Sequence, residues 1–159
     1  MSKNVLIIGG GIIGLEMATI YSQLGTDVTI VEWLDQPLAC EDAEAVKVIE
    51  NSLVKNKVTF RCGCKVEEIK IENNLVKTKW FCSDAGEGKR SERDFDMVLV
   101  AIGRKPYIVP ELLDPLNIEY SRVGVTTNKY LETNNPDVYC IGDLNGQWLL
   151  AHTASREGL

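Results

Sequence analysis

With 159 residues the chain can bury one respectable core, and one domain plus an appendage is the natural expectation. Hydrophobic residues at 45% and charged residues at 25% are ordinary for a soluble globular protein. Seventeen basic residues against 23 acidic ones leave a net charge of -6, which disfavours non-specific binding to nucleic acid or to an anionic membrane surface.

The first predicted element is a strand, Asn4-Val5-Leu6-Ile7-Ile8, an apolar run rich in β-branched residues and suited to a parallel strand buried on both faces. Gly9-Gly10-Gly11-Ile12-Ile13-Gly14 then turns the chain into a helix, Leu15 to Leu24, with Gly25 as its C-terminal cap. Asp27-Val28-Thr29-Ile30-Val31 is a second apolar strand, closing on Glu32, which lies 23 residues beyond Gly9. Strand, glycine turn, helix, strand and terminal acid together make a strong dinucleotide-binding fingerprint, where a lone glycine motif would be weak. Gly9 permits the tight turn, Gly11 lets the backbone approach a pyrophosphate, and Gly14 lets the helix pack closely on the sheet. Unpaired amides and the positive end of the helix dipole then face the phosphates, so no lysine or arginine is required there. Glu32 is expected to accept hydrogen bonds from the adenosine ribose, each worth about 1.5–3 kcal/mol to a charged acceptor. Trp33, Leu34 and Asp35 bring no arginine for a 2′-phosphate, so NAD is expected over NADP.

The longest apolar stretch, Val5 to Leu15, is eleven residues with four glycines, too short to span a bilayer, and it lacks a convincing secretory cleavage site. An intracellular chain is therefore expected. The five cysteines, Cys40, Cys62, Cys64, Cys82 and Cys140, fit neither a disulfide framework nor a paired zinc site, and most are expected to be reduced core thiols, with no metal bound. Cys62 and Cys64 would share a face if both lay on one strand.

After a loop broken by Pro37, Glu41 and Asp42 open a predicted helix through about Asn56, with Ala45, Val46, Val48, Ile49 and Leu53 as its apolar face. Val58-Thr59-Phe60 completes a strand–helix–strand–helix–strand half of the doubly wound type. Alternation then replaces helical spacing: Val66, Ile69, Ile71, Leu75 and Val76 flank Asn73-Asn74 as a β-hairpin, with further strands at about Thr78 to Ser83 and Glu92 to Phe95. The polar stretch from Asp84 to Ser91 reads as a solvated tip. This antiparallel ribbon replaces the crossover helix of a plain dinucleotide domain. Asp96 to Ile102 is a continuous apolar strand stopped by Gly103-Arg104-Lys105-Pro106, where a ligand would approach an open sheet. A plain turn at Gly103, with Arg104 a surface cation, is the alternative. Pro110 to Leu116 is a short helix or turn and Ile118 to Tyr120 an edge strand. From Val123 the composition changes: Val125 to Asn128 and Tyr130 to Thr133 are short extended pieces, Val138 to Ile141 is a buried strand, and a helix begins near Leu149.

Five segments carry a resemblance to the flavoprotein disulfide reductases: Gly9 to Glu16, Val31-Glu32, Leu99 to Pro106, Tyr139-Cys140-Ile141-Gly142-Asp143, and Leu150-Ala151-His152 with Glu157-Gly158. The last is more particular and resembles the lipoamide branch rather than the glutathione, mercuric or transhydrogenase branches. The resemblance implies a Rossmann-like doubly wound α/β domain at 1–122 and an incomplete returning segment of an FAD-binding domain at 123–159. It implies that Gly9, Gly10, Gly11, Ile12, Ile13, Gly14, Leu15, Glu16, Glu32, Val66 and Gly103 line an NAD site, with Glu16 near the nicotinamide. It further implies that Asp143 holds the ribityl chain of FAD and that Leu149, Leu150, Ala151 and His152 meet the flavin. No two cysteines are five positions apart, and His152 is the only histidine, matching a flavin-contacting position. No catalytic residue is therefore expected here: the chain resembles the NAD-binding portion of an enzyme that oxidises dihydrolipoamide with NAD⁺, inactive by itself. The implied parent is a homodimer serving a lipoamide-bearing 2-oxo acid dehydrogenase complex in the bacterial cytoplasm or mitochondrial matrix. Two other readings are another NAD-linked flavoprotein reductase and a standalone NAD-binding module.

Overall fold

The computed structural model describes residues 2–83 and 88–159. From the amino end, β1 (Asn4–Ile8), α1 (Ile12–Gln23), β2 (Asp27–Val31), α2 (Ala43–Lys55) and β3 (Val58–Arg61) alternate. A ribbon of β4 (Cys64–Glu72), β5 (Leu75–Cys82) and β6 (Lys89–Phe95) follows, before β7 (Met97–Val100) returns to the first sheet. That sheet is parallel throughout, in the order β3-β2-β1-β7, and the ribbon is a separate antiparallel sheet in the order β4-β5-β6. The expected doubly wound α/β architecture, with a ribbon in place of one crossover helix, is the one observed.

The two faces of β1 explain the layering. Val5, Leu6 and Ile7 are all fully buried, but alternation sends them opposite ways. Val5 and Ile7 join Val28 and Ile30 of β2 against Leu15 and Ala18 of α1 and Leu53 of α2. Leu6 and Val31 pack instead with Trp80 and Phe95 of the ribbon. Burying each such side chain stabilises the fold by about 1.5–3 kcal/mol, so the ribbon serves as the apolar cover that a helix would otherwise provide. Polar bonds pin it in place. Arg93 of β6 donates to Asp27 Oδ2 at 2.6 Å and to Thr29 Oγ1 at 3.2 Å, while the Asp96 amide donates to Asn4 Oδ1 at 2.7 Å. The solvent side of the ribbon carries ion pairs: Lys70 and Lys79 hold the Glu68 carboxyl below its usual range, and Lys77 does the same to Glu72.

Several expectations are corrected. Helix α2 begins at Ala43, later than expected, because Asp42 is its N-cap, accepting from the Glu44 and Ala45 amides at 2.9 and 3.2 Å. Its buried stripe is Val46 and Leu53; Val48 is 71% exposed, since a residue two positions from Val46 falls on the far side of a 3.6-residue turn. The pieces at Leu75-Val76 and Thr78 to Ser83 are one strand, β5. Cysteine usage also differs: Cys64 and Cys82 form a disulfide, because the hairpin register sets them opposite each other with Cα atoms 4.0 Å apart. Cys62 precedes β4, and Gly63 between them turns through a left-handed φ of 63°, so Cys62 and Cys64 do not share a strand face. Of the expected tip at Asp84 to Ser91, residues 84–87 lie outside the described residues, and Lys89 to Ser91 are not a turn but the start of β6, paired with β5.

The chain divides into two compact units, one ending at Gly103 and the other running from Arg104 to Leu159. The second contains α3 (Pro110–Leu113) with a 3₁₀ turn after it, a small hairpin of β8 (Tyr120–Ser121) and β9 (Gly124–Val125), a 3₁₀ turn at Gly142–Asn145, and α4 (Ala151–Glu157). Ile118, Val125 and Cys140 are its buried centre. The expected strand at Val138 to Ile141 reduces to one bridge, Tyr139 with Glu132, and Tyr139 and Ile141 are 59% and 44% exposed. No longer ladder pairs with it in this unit, and without a ladder an apolar run does not become a strand. Likewise the expected edge strand begins only at Tyr120. Among the described residues, no helix is long and apolar enough to cross a membrane.

The hairpin turn supplies a test of this fold. Asn73 and Asn74 both adopt left-handed φ, 52° and 62°, the geometry of a two-residue turn matched to strand twist. Asn74→Val should lower stability by about 1–2 kcal/mol, and Asn74→Gly should leave it equal or slightly raised, read as shifts in the urea midpoint.

Candidate functional site

The glycine turn is built from three different constraints. Gly9 has φ 105°, and a Cβ on it would run into the carbonyl of Ala101, just after β7. A Cβ on Gly14 would collide with the carbonyl of Gly9, so α1 approaches the turn only because residue 14 has no side chain. Gly11 differs: its φ is an ordinary -76°, and a Cβ there would meet nothing within 4 Å. The space a Gly11 side chain would fill is open to a ligand and is not needed by the fold.

Helix α1 begins at that open space without a side-chain cap, and its first internal bond runs from the Leu15 amide to the Gly11 carbonyl at 3.0 Å. The amides of Gly11, Ile12, Ile13 and Gly14 therefore precede the helical ladder, at the end where the dipole favours an anion. Ile12 and Ile13 are 44% and 41% exposed on this lip, Glu16 is exposed one turn on, and Leu15 is buried against the sheet. Order in the sheet adds a second reason. The chain steps from β1 to β2 and β3 on one side and to β7 on the other, so the switch point lies between β1 and β7. Gly9 against Ala101, together with the 2.8 Å bond from the Ala101 amide to the Ile8 carbonyl, puts the turn at that point. Gly103 follows with φ 112°, exposed, with nothing within 4 Å of an added Cβ.

Glu32 lies beside the turn. One carboxylate oxygen accepts from the Gly10 amide at 2.6 Å and the other from the Leu34 amide at 2.8 Å. A carboxylate has about four acceptor positions, so both oxygens retain capacity for hydroxyl donors. Its main chain is equally held, donating to Arg61 at 2.8 Å and accepting from Cys64 at 2.9 Å. These partners were not readable in advance, because backbone amides have no side-chain signature. Val66 is half-buried on β4, opposite Trp80. Next to Glu32, a cavity of about 480 Å³ is lined by Asp35, Gln36, Pro37, Glu50, Phe60, Cys62 and Gly63, two acids and no cation. Trp33 is 71% exposed at the same loop, with the Lys65 ammonium 5.5 Å from its ring centre.

The second unit contains the other expected residues. Asp143 is not a lone turn acid: Arg104 donates to it at 3.1 Å. Glu157, part of the Glu157-Gly158 motif, has a structural role. It accepts from the Gly142 amide at 2.6 Å and from the Asn145 side chain at 3.1 Å, tying the Gly142–Asp143 turn to α4. An added Cβ on Gly142 would lie 3.0 Å from that of Ala154. Leu150 is the uncapped N-cap of α4, with Leu149 before it, and Ala151 and His152 are exposed in its first turn. Burial, and then Glu157, pushes the Cys140 thiol above its usual range.

A family described as pyridine nucleotide-disulphide oxidoreductase matches residues 1–158. A dihydrolipoamide dehydrogenase of Chaetomium thermophilum is 40% identical over 159 residues, 99% of this chain and 31% of that protein. A dihydrolipoyl dehydrogenase of Acholeplasma laidlawii is 33% identical over 157 residues, again 99% of this chain and 44% of its own length. The chain thus spans less than half the length of these relatives. Among solved structures, an HOCl-induced flavoprotein disulfide reductase of Escherichia coli, RclA, superposes with a TM-score of 0.81 at 25% identity, over 98% of this chain and 34% of that one.

The glycine constraints separate on mutation. Gly9→Ala and Gly14→Ala should each cost about 1–3 kcal/mol of stability, through strain and backbone collision, whereas Gly11→Ala should stay within about 0.5 kcal/mol of wild type. Thermal melts of the three variants check this ordering.

Proposed function

The chain belongs to the pyridine nucleotide-disulphide oxidoreductase family, and from that premise we propose that it is the NAD-binding portion of a dihydrolipoamide dehydrogenase. Relatives bearing that name over nearly the whole chain support the reading. The observation that carries it is the uncapped start of α1, opening onto the space kept clear at Gly11 with Glu32 alongside. Residues 1–122 are assigned to NAD binding and 123–159 to the returning segment of the FAD domain.

In this reading the amides of Gly11 to Gly14 hold the pyrophosphate, which needs close backbone approach and no basic side chain. Glu32, already oriented by the Gly10 and Leu34 amides, accepts from the adenosine ribose hydroxyls. Its charge, with Asp35 and Glu50 at the adjacent cavity, repels a 2′-phosphate, so NAD(H) is preferred to NADP(H). Gly9, Gly10, Ile12, Ile13, Leu15, Val66 and Gly103 shape the rest of the site, and Glu16 lies toward the nicotinamide. Asp143 and the start of α4, Leu149, Leu150, Ala151 and His152, contribute to an FAD site. The fit there is chemical: an acid on a glycine turn suits ribityl hydroxyls, and uncapped amides suit a flavin pyrimidine edge. Flavin, when bound, supplies hydride transfer to the nicotinamide. This chain's share is positioning, which by itself accounts for much of a rate.

For the whole protein we propose oxidation of dihydrolipoamide with NAD⁺, through a redox disulfide outside these residues. The protein would act as a homodimer serving a 2-oxo acid dehydrogenase complex in the bacterial cytoplasm or mitochondrial matrix. The likeness to the E. coli disulfide reductase supports a second reading, another NAD-linked flavoprotein reductase. The run Leu150-Ala151-His152 favours the first.

Calorimetry tests the binding site. The chain should bind NADH weakly, and no heat at millimolar NADH overturns the assignment. Glu32→Ala should weaken NADH roughly tenfold and narrow its advantage over NADPH, with a parallel melt reporting any loss of the Gly10 and Leu34 bonds. An unchanged NADH-to-NADPH ratio removes Glu32 from the discriminating role. The chain alone should show no turnover with dihydrolipoamide and NAD⁺, and measurable turnover would overturn the division of labour.

A further inference from the structure

The Cys64–Cys82 disulfide lies directly behind Glu32, and we propose that it is a thiol–disulfide modification site whose oxidation state sets how firmly the Glu32 loop is held. The proposal deepens the NAD reading and rests on it only for its consequence in binding.

Three observations carry it. The first is the position of the bond within the hairpin. Asn73 and Asn74 close one end of the β4–β5 pair, and Cys64 opposite Cys82 closes the other, across a sequence separation of 18. The second is the set of backbone bonds at that closed end. The Cys64 amide donates to the Glu32 carbonyl at 2.9 Å, the Gly63 amide to the Leu34 carbonyl at 2.9 Å, and the Ser83 amide to the Gly63 carbonyl at 3.0 Å. The residues on either side of the cross-link, Gly63 and Ser83, thus connect the end of β5 to the loop whose Glu32 carboxylate receives the Gly10 and Leu34 amides. The third is burial. Cys64 and Cys82 are 1% and 7% exposed, packed with Leu6, Val31, Trp80 and Phe95, so the sulfurs are reached only when the strand ends part. Opening for exchange and release of the Glu32 loop are then one motion.

The chemistry balances without another component of the fold. A low-molecular-weight disulfide accepts two electrons and two protons from the Cys64 and Cys82 thiols: the bond between the two cysteine sulfurs forms, the S–S bond of the oxidant breaks, and two small thiols leave. A small-molecule dithiol reverses the exchange and is itself closed to a disulfide. In the reduced chain, the ends of β4 and β5 are held by hydrogen bonds and packing alone, and their opening is more frequent.

The test compares the same full chain in both states, so it does not depend on a variant folding. Amide hydrogen exchange is followed by NMR after equilibration with either oxidised glutathione or dithiothreitol. The Gly10, Leu34 and Cys64 amides should exchange roughly tenfold faster in the reduced chain, while amides of α4 should not change. The Trp80 indole, buried in the same cluster, should brighten as the quenching disulfide is opened. Cys62→Ser should retain the difference and Cys64→Ser/Cys82→Ser should abolish it. Equal protection in both states, or alkylation of Cys64 and Cys82 in the native chain after oxidation, overturns the proposal. NADH titration then separates the two ideas. Severalfold weaker binding on reduction supports both, whereas changed protection with unchanged NADH affinity overturns the link to nucleotide binding. Changed protection with no NADH binding in either state overturns the nucleotide reading and leaves the exchange site standing.

Discussion

The structure of the first unit depends on one close approach, the backbone of Gly9 against the carbonyl of Ala101. No residue with a Cβ can make it. Because it is made, the chain leaves β1 at the switch point of the parallel sheet and enters α1 within three residues, with the helix start facing outward. Gly14 then seats the helix against the turn it has just left. Two glycines thus serve the fold, and the third, Gly11, keeps a space that the fold itself does not use. The distinction separates a turn that is merely tight from one suited to a ligand.

Glu32, proposed to bind the ribose, also holds the fold. Its carboxylate joins the glycine turn to its own loop, and its main chain joins β3 and the ribbon. A side chain fixed by two amides has little rotamer entropy left to lose, so in the proposed nucleotide site it would meet a ribose already oriented, which is preorganisation in the usual thermodynamic sense. The same connectivity links Glu32 to the cross-linked end of the hairpin. The ribbon that covers the apolar face of β1 is therefore also part of the support of the site.

In the second unit the sequence motifs acquire mutual roles. Gly142-Asp143 and Glu157-Gly158 lie 15 positions apart yet form one arrangement, since Glu157 accepts from the Gly142 amide. Arg104 completes it through Asp143. A surface cation and a turn acid, each unremarkable alone, are partners.

The sequence by itself determined the doubly wound half, the glycine turn, the ribbon and the hairpin at Asn73-Asn74. Each rests on local chemistry: apolar runs of strand length, positions that need glycine, alternation around two residues tolerant of left-handed φ. Only the tertiary structure decided the rest. Strand register set Cys64 opposite Cys82, helix phase left Val48 in solvent, and pairing that among the described residues amounts to one bridge left Val138 to Ile141 short of a strand. The partners of Glu32 and Glu157 belong to the same class, because they are backbone amides whose availability depends on where the chain runs and not on which residues it contains.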